Sequence, residues 1–298
     1  MILWISHTTT YKYDRPVDGA SYMEARLRPL TIARSQSCLE YSLTTDPATG
    51  IFWHEQPDQM GAVAHFTLRN IPHSQLVVHA ESMVETFGSN PYVDVNLFAD
   101  DWADLDLPNV TSGLAEWLNP TAAVPFNPAW CGPEKSKHGV FQFGVDLMRD
   151  IHNRFSYVPG STEISTPLED FVAQGKGVCQ DYAHYMLSVA RSQGIPSRYV
   201  SGYVYSGNDS EVLGGDAMHA WVELFLPGDS VWKGFDPTNN LVVADHYVKV
   251  AVGRDYNDVP PTKGIIRGTP GGILPRQSEL EVSVSVRQVE RPNGISIE

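Results

Sequence analysis

The sequence predicts an α+β protein in which an N-terminal β-sandwich domain precedes helices packed on an antiparallel sheet, and three observations carry this. Roughly the first ninety residues alternate apolar and polar positions in short segments separated by Pro- and Gly-containing turns. Beyond Gly177, apolar residues recur at three- and four-residue spacing. Three segments rich in β-branched and aromatic residues then follow at short intervals.

Element by element, Ile2–Tyr13, Ser37–Thr45, Ala62–Leu68 and Leu76–Phe87 have the period of half-buried strands, which assigns residues 1–88 to the sandwich. Residues 89–138 are rich in Asp, Pro and Asn, hold one short helix around Val110–Leu118, and read as a connector. Residues 139–298 form the second domain. It opens with a helix whose stripe of Val140, Phe141, Val145, Leu147 and Met148 ends near Ile151. Thr166 at a cap, Pro167 at the first helical position and Glu169 in the first turn start a short helix that runs to Gln174 and ends at Gly175. Cys179, Tyr182, Ala183, Met186, Leu187 and Ala190 mark the buried face of the next helix, which stops at Gly194. Arg198–Tyr205, His219–Leu226 and Val231–Asp236 read as antiparallel strands, the last two joined by Pro227-Gly228-Asp229-Ser230. After a Gly/Pro-rich loop from Pro260 to Pro275, the alternation of Leu280, Val282, Val284 and Val286 predicts a terminal strand of this second domain.

Composition narrows the function. With 42% hydrophobic and 19% charged residues the chain of 298 is globular. Its 21 Lys+Arg against 35 Asp+Glu, a formal charge of −14, leave little from which to build a phosphate-binding surface, so nucleic acid is not an expected partner. The start Met-Ile-Leu-Trp-Ile lacks the basic and cleavable parts of a secretory signal, and every apolar stretch is interrupted well short of the ~20 residues that span a bilayer. A cytoplasmic protein without a membrane partner is expected. Cys38, Cys131 and Cys179 are too few and too scattered for a disulfide framework or a cysteine zinc site.

Chemistry concentrates on Cys179. It opens an amphipathic helix after Gly175 and Gly177, where unpaired backbone N–H groups and the positive end of the helix dipole favour a thiolate and can stabilise an oxyanion. Taken alone, such a cysteine is more often a small buried hydrophobe, and context has to overturn that reading. The hairpin supplies the context. If its turn centres on Gly228-Asp229, Leu226 faces Val231, Trp221 faces Asp236, and Asp236 is diagonal to His219 on one sheet face. A carboxylate there can hold one imidazole nitrogen and aim the other at a nucleophile.

The segments Gly177-Val178-Cys179-Gln180-Asp181-Tyr182-Ala183-His184, Asp216-Ala217-Met218-His219-Ala220-Trp221-Val222-Glu223 and Gly234-Phe235-Asp236-Pro237-Thr238-Asn239-Asn240 resemble, in order, the three motifs of bacterial transglutaminase-like proteins. The stretch from Gly253 to Pro261 and the β-rich N-terminal part are similar to the same family. The resemblance implies a papain-like, transglutaminase-like core with Cys179 as nucleophile, His219 as general base and then acid, and Asp236 orienting His219. Met218 departs from the small polar residue that many relatives have there. Tyr157 resembles a position where relatives place an aromatic residue lining the cleft, a core tyrosine being the alternative. Trp221, on the face of His219, either walls the cleft or belongs to the core.

Other residues carry blander readings. His184 falls off the Cys179 stripe and reads as a packing or hydrogen-bonding residue, and Asp181 as a carboxylate favouring the helix N-terminus. Asp100, Asp101, Asp104 and Asp106 lack the ligand alternation, central Gly and final Glu of a calcium loop. No metal or cofactor is expected. The expected activity is hydrolysis of a protein or peptide amide through a thioester, with amide transfer to an amine as the alternative and a non-catalytic peptide-binding cleft as a third reading. The N-terminal β domain is a candidate docking module.

Overall fold

The period-2 segments of the N-terminal part become six strands: β1 (Ile2–Val17), β2 (Ala20–Ala25), β3 (Gln36–Asp46), β4 (Ile51–Glu55), β5 (Ala62–Arg69) and β6 (His73–Thr86). A computed structural model describes residues 1–291 apart from 57–60, 89, 94, 97–99, 136–138, 208–211, 216, 269–273 and 277. The predicted Gly/Pro-rich loop lies partly, and Asp216 wholly, outside the described residues. The connector holds α1 (Pro108–Thr111), shorter than the predicted helix and followed by a separate 3-10 turn at Ala115–Trp117. Gly113 interrupts it.

The second domain runs α2 (Gly139–Arg154), β7 (Ser156–Tyr157), α3 (Leu168–Gln174), β8 (Lys176–Gly177), α4 (Cys179–Ser192), β9 (Ser197–Val204), β10 (His219–Leu226), β11 (Val231–Asp236), β12 (Leu241–Val242) and β13 (Tyr247–Gly253). Two strands close the chain, β14 (Thr262–Arg267) and β15 (Ser278–Gln288). Pro167 is the N-cap of α3 rather than its first residue, and Thr166 instead accepts a hydrogen bond from the Glu163 N–H at 2.8 Å. Gly175 ends the helix in the left-handed conformation, φ 70°.

Strand order corrects one expectation. β14 and β15, read as part of the second domain, complete the sandwich: its sheets are β15-β1-β6-β3 and β14-β2-β5-β4. Alternation reveals that a strand exists and which side chains share a face, but not which edge it joins. Tyr13, Met23, Phe66, Leu68, Leu76 and Val78 fill the space between the two sheets. Further along the same inner face of the first sheet, Leu3, Ile5, Val84 and Val284 pack into the core of the second domain, so the two domains share buried apolar surface.

The second domain is a five-stranded antiparallel sheet, β12-β11-β10-β9-β13, with α4 packed on it. The hairpin register is the predicted one: Val222 pairs with Phe235 and Leu226 with Val231. At the domain junction Gln36 donates to the carbonyls of Leu30 and Lys249, both at 2.7 Å, and accepts from the Lys249 N–H at 2.8 Å. In the acidic cluster, Asp101 is buried and accepts from the Val140 N–H at 2.8 Å, capping α2. Among the described residues, no group of three or more potential metal ligands assembles, and no helix is long and apolar enough to cross a membrane.

Candidate active site

Gly177 ends the extended segment that delivers Cys179 to the first turn of α4. A Cβ on Gly177 would lie 2.5 Å from the Phe171 ring and 2.6 Å from an Asp181 oxygen, so only glycine fits this approach. Val178 caps the helix in extended conformation, and Asp181 reaches back to accept from its N–H at 2.8 Å. The same carboxylate oxygen accepts from Thr162 Oγ1 at 2.6 Å. Asp181 is therefore a clip that fixes the start of α4, a more specific role than a charge near a dipole. Cys179 is half-buried at the first helical position, where backbone N–H groups have no intrahelical acceptor.

His219 opens β10 and Asp236 closes β11, and both are buried. His219 Nε2 donates to Asp236 Oδ2 at 2.7 Å. Four further donors hold the carboxylate: the N–H groups of Thr238 and Asn239 on Oδ1, at 2.9 and 3.2 Å, and Asn239 Nδ2 and Tyr247 Oη on Oδ2, each at 2.7 Å. Burial penalises the Asp236 carboxylate, yet the His219 charge and these hydrogen bonds hold its pKa below the ordinary value. Burial likewise disfavours the His219 imidazolium, but the Asp236 charge and hydrogen bond, with a smaller contribution from Cys179, carry its pKa up to about 10. Nδ1 of His219 is buried without an aligned partner. Gly214, at φ +86°, lies against this edge; a Cβ there would sit 2.5 Å from Nδ1.

Cys179 and His219 open onto one cavity of about 260 Å³. Trp221 does not wall it. Fully buried, it stacks on His219 at 6.3 Å and packs with Val200, Val204 and Tyr247, a core residue backing the imidazole. Tyr157 is outside the cavity lining but close enough to feel Cys179 and Asp236: burial, then the charges of these two, push its phenol up to about 12. His184 is buried and accepts from the Tyr256 N–H at 3.2 Å, a packing and hydrogen-bonding role that holds the Tyr256 segment lining the cavity. Sequence reasoning missed Tyr247, and it missed His7 and Thr9 of β1, which also line the cavity.

Residues 134–237 match the family model of the transglutaminase-like superfamily, and residues 3–85 match that of the bacterial transglutaminase-like N-terminal region. Uncharacterized protein ML0607 of Mycobacterium leprae is 38% identical over 271 residues, covering 89% of this chain and 92% of its own. The chain belongs to the transglutaminase-like superfamily. Uncharacterized protein Rv2569c of Mycobacterium tuberculosis is 31% identical over 307 residues, covering 95% and 91% of the two chains. A protein-glutamine gamma-glutamyltransferase of Pseudomonas aeruginosa is 35% identical over 104 residues, 31% of this chain but only 15% of that protein. The fold is shared with the crystal structure of a proposed cysteine protease from Cytophaga hutchinsonii, at a TM-score of 0.72 and 21% identity, covering 98% and 92%. The transglutaminase-like fold is thus present together with its N-terminal β domain.

Proposed function

We propose that Cys179, His219 and Asp236 are the catalytic triad of a cysteine amide hydrolase acting on protein or peptide substrates. The observation that carries this reading is the buried 2.7 Å hydrogen bond from His219 Nε2 to Asp236, which leaves Nδ1 as the nitrogen able to exchange a proton with the thiol. In the proposed mechanism the Cys179 proton passes to His219 and the thiolate attacks the amide carbonyl. The oxyanion is met by backbone N–H groups in the first turn of α4. His219 then donates its proton to the departing amine, leaving a thioester. Water, deprotonated by His219, attacks the thioester and releases a carboxylic acid and the thiol. Asp236 keeps the imidazole oriented and stabilises its charged form throughout.

Amine attack on the same thioester would instead form a new amide, the reading favoured by the partial likeness to the glutamyltransferase. Hydrolysis is preferred because the fold shared over 98% of this chain is that of a proposed cysteine protease, whereas the likeness to the glutamyltransferase spans 31% of it. Mass spectrometry of glutamine- and lysine-bearing peptides incubated with the enzyme in heavy-oxygen water separates the two: oxygen incorporation supports hydrolysis, and cross-linked peptides overturn it. The triad itself is tested by alkylation at neutral pH. Cys179 is expected to react ahead of Cys38, whose thiol burial pushes up to about 11 despite Arg28, and ahead of Cys131. Loss of that preference in His219→Ala supports the pair; no preference in the wild type counts against catalysis.

A further inference from the structure

Register gathers side chains of both chain ends on one face of the sandwich. Along the β1–β15 ladder, His7 faces Val284, Thr9 faces Val282 and Tyr11 faces Leu280. Val284 is buried in the core, whereas Val282 and Leu280, on the same face of β15, run past its edge and are 43% and 52% exposed. Both line the cavity onto which Cys179 and His219 open, as do His7 and Thr9. Ile164 of the second domain, 60% exposed, completes its mouth. Exposed leucine, isoleucine and valine clustered at one opening are apolar surface that folding has left unburied.

Charge is the second observation. In a chain with 21 basic and 35 acidic residues, not one Asp, Glu, Lys or Arg is among the described residues lining this cavity. His7 does not supply a charge either. Both its ring nitrogens are occupied, by Tyr203 Oη at 3.0 Å and Thr9 Oγ1 at 2.9 Å, and burial holds its pKa down at about 4. His219, the lining's one imidazolium, is already paired with Asp236 at 2.7 Å, so a charged side chain entering here would lose its water without gaining a free partner, while an apolar one would bury the waiting surface.

We propose that the β1–β15 face is the acyl-donor subsite of this cavity, selecting donors with an uncharged, apolar side chain next to the reacting carbonyl. The inference rests on the proposed thiol chemistry but adds to it that the N-terminal sandwich, not the catalytic core alone, reads the substrate.

The test uses the full chain and two peptidyl chloromethyl ketones that differ only in that side chain, leucine or glutamate, with iodoacetamide as a reference that fills no side-chain subsite. After normalisation to iodoacetamide, Cys179 is expected to displace chloride from the leucine probe at least about tenfold faster than from the glutamate probe. In Leu280→Lys the glutamate probe should gain and the ratio fall by about tenfold or invert, a response to charge that a purely structural role would not produce. Val282→Lys is the second variant should the first fail to melt cooperatively. Equal rates in the wild type, or a ratio unmoved in a folded lysine variant, overturn the subsite. Failure of iodoacetamide to prefer Cys179 over Cys38 and Cys131 overturns the thiol chemistry instead, so the two failures are distinguishable.

Discussion

Five donors on one carboxylate make Asp236 the most heavily constrained side chain of the site, and they separate orientation from chemistry. Tyr247 is a positioning residue in this scheme, acting through Asp236. Tyr247→Phe removes one hydrogen bond to a charged acceptor and leaves four; kcat is expected to fall about tenfold, ~1.4 kcal/mol, with KM unchanged. The alkaline limb of the Cys179 alkylation profile should also move to higher pH, because a carboxylate with one donor fewer holds the His219 imidazolium more strongly. An unchanged kcat and profile would reduce Tyr247 to packing. Gly214→Ala is expected to abolish turnover while the protein still melts cooperatively, since its Cβ would displace the Nδ1 edge of His219. The approach of Asp236 to His219 and the place of Cys179 at a helix start were legible because register and helical period encode them. Tyr247 was not: β13 lies three places from β11 in the sheet, and no sequence spacing encodes an approach across intervening strands.

At the scale of the element, α4 depends on a clip from its own first turn. Asp181→Ala leaves the Val178 N–H and the Thr162 hydroxyl without their buried acceptor, and is expected to destabilise the protein by about 1–2 kcal/mol in urea unfolding. Asp181→Asn, which keeps an acceptor oxygen, should recover part of that loss; equal losses in both variants would mean that charge rather than capping matters. The β10–β11 hairpin was legible down to individual partners because a four-residue turn and a buried face leave one register. β13 escaped notice because Tyr247–Gly253 is nearly all buried and shows no alternation. The acidic cluster shows the converse: its composition reads as a solvated loop, whereas Asp101 is buried and consumed in capping α2.

The whole molecule combines titrations of opposite sign. His7 and His184 have pKa values lowered to about 4, chiefly by burial, so the stability they contribute is present above their unfolded value of 6.5 and lost as pH falls toward 4. Glu223, despite burial, is brought down to about 2 by Lys249 and Arg198, which extends the acid limb from 4.5 downward. His219, raised to about 10, contributes fully below 6.5 and progressively less as pH rises toward 10. Melting temperature is therefore expected to peak near pH 6.5, with the alkaline limb flattened in His219→Ala; an alkaline limb unaffected by that substitution would contradict the assignment. Two domains were legible from texture, but not that the chain crosses between them twice, since the partners of β14 and β15 lie at the other end of the sequence.

That crossing has a consequence in time. Tyr11 and Leu280 are paired neighbours whose codons are 269 positions apart, taking 280 − 11. At ~5–20 residues per second, β1 waits some tens of seconds at the ribosome for the strand that completes its sheet. Cys179 emerges during that wait, well before β15 closes the wall beside it. On the proposed chemistry a nascent chain would thus carry its nucleophile before its selectivity, and β15, the last of the described strands, would end this unguarded interval.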